Sequence, residues 1–222
     1  MKATRRTHYL LPLILVTVYP LMVRKVLRSF TFSLEVNWSL WILIGSSIAF
    51  LCFRAIQSHL SADELKLMSP NLKNIMLTLA AFCLLLAWGI FVRDNFPLTH
   101  NQEGLMVDFA KANTLFVPVL YANLCLIGPV NEEIMYRLFV IKGPGGSLPR
   151  GVDVTLSSTL FSLAHLHVLS LTDFLCYFVM GLIFALVFKA TKSIYYAIGL
   201  HILWNSFVPL LELLIVILKM VG

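Results

Sequence analysis

Asn131-Glu132-Glu133-Ile134-Met135-Tyr136-Arg137 decides how this chain is read. Two adjacent acids and an arginine stand inside an apolar run that extends over residues 113–141. On insertion scales a charge at the centre of a spanning helix costs about 2.5–3.5 kcal/mol. A chain that keeps three such groups together has a use for them. On a helix, residues four apart share a face, and an acid placed N-terminal to its base is the better orientation. Glu133 and Arg137 have that spacing and can pair, which lowers the cost of burying either. Glu132 is rotated by about 100° from Glu133 and has no partner in its own helix. Glu133 and Arg137 are therefore expected to hold structure, leaving Glu132 for chemistry. Pro129, after Gly128, removes a backbone hydrogen bond and predicts a kink just before the acids. The competing reading is a structural charge cluster at a helix end near the membrane interface.

The surrounding sequence says what kind of helix this is. Of 222 residues, 59% are hydrophobic and 13% charged, and mean hydropathy is +0.86. Soluble domains carry about 25% charged residues. An all-α, polytopic transmembrane helix bundle follows. The net charge of +6 is not a nucleic-acid signal, because the basic residues flank apolar runs, where they anchor spans. Cys52, Cys83, Cys125 and Cys176 all fall within apolar runs, with no C-x-x-C pair. They read as small hydrophobes. The start, Lys2 to Arg6 followed by an apolar run, is like a signal peptide. No small-residue cleavage site follows, so it is expected to be retained as a first span.

Apolar runs of spanning length are expected at 9–23, 38–53, 72–92, 113–141, 153–169, 173–189, 194–206 and 207–221. That makes about eight spans, or seven if the last two form one unit bent at Pro209. With eight spans and the N-terminus inside, inner segments hold eleven Lys and Arg against five outside. Both termini are then expected in the cytoplasm, in a prokaryotic cell membrane rather than the endoplasmic reticulum. Ser69-Pro70, Asp153, Thr172 or Asp173, and Ser193 are expected to open helices. Gly143-Pro144-Gly145-Gly146 is expected to be a mobile loop, and lacks the Gly-Lys-Ser/Thr of a phosphate loop. Residues 1–112 form spans of unassigned role, 113–206 the core that carries the polar motifs, and 207–222 a last span. Glu212 in that last span has no role that the sequence assigns.

Two more polar intrusions follow the acids. Phe161 and His165 are four apart, as are His201 and Asn205. Counting 1.5 Å per residue from the helix ends nearest the cytoplasm puts Glu132 at roughly 14 Å, His165 at roughly 18 Å, and His201 and Asn205 at roughly 12 and 18 Å. The three motifs thus reach one layer. A carboxylate there can act as general base on a water. One histidine can orient that water, while a second histidine and an asparagine donate to a developing oxyanion. That is equipment for hydrolysing an amide without a covalent intermediate. No Ser, Cys or Thr stands in a nucleophile motif, and the zinc signature H-E-x-x-H is absent.

Glu132-Glu133-x-x-x-Arg137, Phe161-x-x-x-His165 and His201-x-x-x-Asn205, in that order, resemble the three motifs of the CPBP family of glutamic intramembrane proteases. This family includes the CaaX prenyl protease Rce1 and bacteriocin-processing and self-immunity proteins. The resemblance covers about residues 113–206. It implies that Glu132 activates water, that His165 shares it, and that His201 and Asn205 stabilise the oxyanion. Glu133, Arg137 and Phe161 would be structural support. It implies no cofactor, and as partners the membrane lipids and a membrane-bound or lipidated protein or peptide substrate. Three other readings compete. One is a proton- or ion-coupled transporter, although no repeat is visible. Another is a non-catalytic member acting in immunity or interaction. The last is a zinc enzyme using His165, His167, His201 and Glu132 as ligands.

Overall fold

The computed structural model describes residues 4–20, 24–30, 32–60, 71–149 and 151–221. Its helices are α1 (Thr4–Val18), α2 (Arg24–Ser29), α3 (Leu34–Ile56), α4 (Leu72–Asn95), α5 (His100–Lys111), α6 (residues 117–141), α7 (Val152–Ala164), α8 (Leu171–Thr191) and α9 (Ile194–Val221). No strand occurs among the described residues. The molecule is an all-α bundle of apolar helices.

Among the described residues, three helices are long and apolar enough to cross a bilayer: α3 with 23 residues, α4 with 24 and α8 with 21. Their burial differs. Half of the apolar window of α8 is buried, against 11% for α4. Leu72, Met76, Leu84 and Ile90 of α4 are all more than half exposed. A soluble protein does not leave so broad an apolar face open, whereas lipid solvates it.

The polar motifs sit on α6, α7 and α9, at the centre of the bundle. α6 is not a uniform helix. Val117–Ala122 and Gly128–Glu132 are α-helical, while Asn123–Ile127 and Glu133–Ile141 are π-helical. The predicted break before the acids is present as the first π turn. From Met135 to Ile141 every residue of α6 is buried. Wide turns free carbonyls that neighbours take up: Ser157 of α7 donates to the Tyr136 carbonyl at 2.6 Å. Close packing of α7 on α8 depends on Gly181. A Cβ there would meet Phe161 Cδ1 at 3.0 Å and Ser158 Cα at 3.2 Å.

Several expectations change. The runs 194–206 and 207–221 form one helix, α9, which continues through Pro209, the single unit that the seven-span alternative expects there. The boundary expected at 206/207 lies inside it. A neighbouring helix supplies the donor that this proline removes, as shown below. α7 ends at Ala164, five residues before the expected 169. Ser170 must be extended to cap α8, where its side chain accepts from Asp173 N–H, so the chain leaves the helix before it. Ser170 thus takes the place expected for Thr172 or Asp173. Gly151, at φ 93°, precedes α7, with Asp153 in the first turn. Ser193 directly precedes α9. Gly143-Pro144-Gly145-Gly146 is no open loop, since Pro144–Ser147 forms a 3-10 turn. Ser69-Pro70 and the Glu212 side chain lie outside the described residues.

α5 was not expected at all. It starts with a capping box, Thr99 with Gln102, and ends with Lys111 in its last turn, so its ends obey the ordinary rules. Asn101 on its first turn is buried, while Met106 and Val107 are exposed.

Candidate active site

The two acids of α6 face different surroundings. Glu133 is fully buried, and its Oε2 lies 3.2 Å from Arg137 Nε. The pair is an electrostatic contact whose angles fall outside hydrogen-bond geometry, so Arg137 Nε and Nη1 have no hydrogen-bond partner. Aromatic faces cover the guanidinium instead. Arg137 Cζ lies 4.4 Å from the Phe161 ring centre and 5.3 Å from that of Phe184, a desolvated cation–π arrangement. Phe161 is thus the floor under the arginine as well as the neighbour of His165. The second carboxylate oxygen of Glu133 receives His201 Nδ1 at 2.9 Å. Sequence spacing pointed to the arginine partner. It gave no sign of the histidine partner, because that contact joins α6 to α9.

Glu132 is the more open acid, with 27% side-chain exposure. Its Oε2 lies 3.8 Å from His165 Nε2 and 3.7 Å from His201 Nε2. Residues from α6, α7 and α9 therefore meet at one carboxylate oxygen. Each ring is held from behind. His165 follows the last residue of α7, where the final turn tightens: its backbone N–H bonds Ser162 O at 3.0 Å, and that of Leu166 bonds Leu163 O. The tightening frees the Phe161 carbonyl, and His165 Nδ1 approaches it at 2.8 Å. A carbonyl only accepts, so Nδ1 carries a proton, and in the neutral ring the lone pair is then on Nε2, the nitrogen that faces Glu132. His201 Nδ1 likewise carries a proton, which it donates to the Glu133 carboxylate. Its ring also stacks on Phe184, 4.4 Å between centres.

Tyr177 of α8 is a residue that the sequence did not single out. Its ring stacks on His165 at 4.5 Å and 20°. Its hydroxyl is within 3.0 Å of Thr99 Oγ1 and accepts from Asn101 Nδ2 at 3.1 Å. The start of α5 is thereby tied to the ring beneath His165. An aromatic in a long apolar run reads as core, so only coordinates reveal this. His167 belongs to the same layer and lies 3.0 Å, through Nε2, from Asn101 Oδ1.

Asn205 is placed differently from the other motif residues. Its Nδ2 donates to the Leu124 carbonyl at 2.9 Å, and its own backbone carbonyl lies 3.5 Å from the Cys125 thiol. It reaches the first π turn of α6 rather than the Glu132 carboxylate. Among the described residues no group of three or more His, Cys, Asp or Glu is arranged to hold a metal ion.

Comparisons with known proteins cover this half of the chain. Residues 114–207 match the family described as type II CAAX prenyl endopeptidase Rce1-like. The chain is 29% identical over 168 residues to the membrane-embedded CAAX protease MroQ of Staphylococcus aureus (strain USA300), covering 68% of this chain and 63% of that protein. It is 30% identical over 119 residues to YdiL of Bacillus subtilis (strain 168), described as a membrane peptidase, covering 52% and 44% respectively. The chain thus spans between two fifths and two thirds of the length of these relatives. No solved structure matches it significantly. All three motifs lie within residues 114–207, the stretch that is similar to the Rce1-like CAAX prenyl endopeptidase family.

Proposed function

We propose that this chain is a glutamic-type intramembrane endopeptidase that hydrolyses a peptide bond of a membrane-bound or lipidated protein. The observation that carries the reading is the convergence of His165 Nε2 and His201 Nε2 on Glu132 Oε2. Separations of 3.7–3.8 Å are too long for hydrogen bonds and suit a shared water. Glu132 takes one proton from that water as general base, and His165, with its lone pair inward, accepts the other hydrogen bond and aims it. The hydroxide oxygen bonds to the scissile carbonyl carbon. His201, with a proton on Nε2 at this step, donates to the developing oxyanion. The carbon–nitrogen bond then breaks, and the proton held by Glu132 passes to the leaving amine. No step in this scheme calls for a cofactor.

The names of the relatives support a membrane peptidase. Cleavage at a prenylated CAAX end is the substrate class that the family description suggests for this site. In the topology we propose, the N-terminus lies in the cytoplasm of a prokaryotic cell membrane. Both termini were expected there on eight spans; with α9 as one crossing, the C-terminus falls on the opposite face.

The test compares new protein N-termini in membranes of cells that express the wild-type chain or Glu132→Gln. Peptides that appear only with the wild type are the expected result, and they should also vanish with His165→Ala. If no N-terminus depends on Glu132 while both proteins are folded and inserted, proteolysis is overturned. Ion flux that responds to Glu132→Gln in liposomes would then favour transport.

A further inference from the structure

Two prolines interrupt the helices that carry the motifs, and the groups they leave behind meet. In the first π turn of α6, Gly128 N–H bonds the Asn123 carbonyl five residues back. The next rung of that ladder would run from residue 129 to the Leu124 carbonyl, but Pro129 has no N–H. In α9 the same deficit falls on the carbonyl of Asn205, four residues before Pro209. Two backbone acceptors are thus left open at membrane depth, where an unmet carbonyl is costly. They are satisfied by one another's neighbourhoods. The side chain of Asn205 donates to Leu124 O at 2.9 Å, and the thiol of Cys125 reaches Asn205 O at 3.5 Å.

We infer that Asn205 and Cys125 form a reciprocal clamp across these two proline breaks, and that Asn205 acts in the reaction chiefly as a positioning residue. The clamp fixes α9 against the π turn that precedes the acids. Glu132 lies three residues after Pro129, and His201 lies one helical turn before Asn205. Locking residue 205 onto residue 124 therefore sets the separation between the Glu132 carboxylate and the His201 ring. This inference rests on the proteolytic reading for its effect on rate, while the clamp itself does not.

The test is a double-mutant comparison. Asn205→Leu removes the donor. Pro129→Ala returns a backbone N–H at residue 129, which can serve the carbonyl of Leu124 without Asn205. In the Pro129 background, Asn205→Leu should lower the yield of Glu132-dependent N-termini by about 10²-fold, the loss expected for an ångström-scale misplacement. It should also lower the unfolding temperature in detergent. In the Pro129→Ala background the same substitution should cost less than about tenfold, and the shift in unfolding temperature should largely disappear. On the other side, Cys125→Val should lower the unfolding temperature, and Cys125→Ser should not, since serine keeps a donor. Equal losses in both backgrounds would overturn the clamp and leave Asn205 a direct oxyanion donor. A clamp that couples in unfolding, in a chain with no Glu132-dependent cleavage, would instead overturn proteolysis while the clamp stands.

Discussion

Glu132 and Glu133 are neighbours in sequence and opposites in surroundings. Glu133 is fully buried between an arginine and a histidine. Glu132 keeps 27% of its side chain exposed and faces two imidazole nitrogens across gaps that no direct hydrogen bond fills. A buried carboxylate with its charges matched is fixed: moving it would strand Arg137 and His201. An acid held loosely among acceptors and donors has room for a water and freedom to exchange a proton. A rotation of about 100° thus divides two adjacent acids of one membrane helix into a buried, charge-matched carboxylate and an open one, and the proposed function assigns the chemistry to the open one.

That division is broken most directly by exchanging what each acid loses. Glu132→Gln should leave thermal stability within about 0.5 kcal/mol and lower cleavage by about 10²–10⁴-fold, the range for removing a general base. Glu133→Ala should do the reverse in kind. It strands a buried guanidinium, which costs about 3–5 kcal/mol, and its loss of activity should follow loss of folded protein. Unfolding in detergent and cleavage in membranes, measured on both variants, separate the two. If Glu133→Ala left a stable protein, the buried ion pair would not be the support described here.

Part of this was legible from the chain alone. Glu133 and Arg137 announce their pairing by spacing, and Pro129 announces a break. The i,i+4 couples Phe161/His165 and His201/Asn205 announce two further polar faces. These are local signals, governed by helix geometry. What could not be read is how the helices meet. The His201–Glu133 contact joins residues 68 apart in sequence, and no periodicity encodes it. The π turns also change the angular step per residue, so facing directions after Asn123 drift from those of an ideal α-helix. α5 is a different failure. Its capping box, Thr99 with Gln102, was present in the sequence, but attention to spans of about 20 apolar residues passes over a short helix of mixed polarity. The end of α7 was missed because the apolar character of Leu166, Val168 and Leu169 continues past it; Ser170, as the cap of α8, stops the helix there.

The contrast can be sharpened at the contact that brings Phe161 under Arg137. Gly181 leaves space that no other residue leaves. In Gly181→Ala the new methyl would press on Phe161 at 3.0 Å and on the α7 backbone at 3.2 Å. The ring can yield by a few tenths of an ångström, but the backbone yields less. The expected cost is about 1–3 kcal/mol of stability, read as a fall in unfolding temperature. Cleavage should fall as well, because Phe161 supports both the arginine on the structural side and His165 on the reacting side. A Gly181→Ala protein that is destabilised yet fully active would mean that the two sides of α6 are less coupled through this ring than their contacts imply.

The smallest effect is expected at Tyr177. Tyr177→Phe keeps the ring that stacks on His165 and removes the hydroxyl that Thr99 and Asn101 hold. Losing a buried hydroxyl from a satisfied network costs about 1 kcal/mol, with more if the Asn101 amide is left unpaired. Asn101 also lies beside His167, so its amide group keeps one partner. Tyr177→Phe should therefore loosen α5 without emptying the space under His165. Hydrogen exchange should rise in the first turn of α5, and cleavage should fall by less than about tenfold. Tyr177→Leu removes the stacking face as well, and its larger loss of cleavage, at similar stability, would show that the imidazole is steadied by the ring rather than by the hydroxyl network. If Tyr177→Phe alone abolished cleavage, α5 would be part of the reacting layer, and the line between structure and chemistry would run through α8 as well as α6.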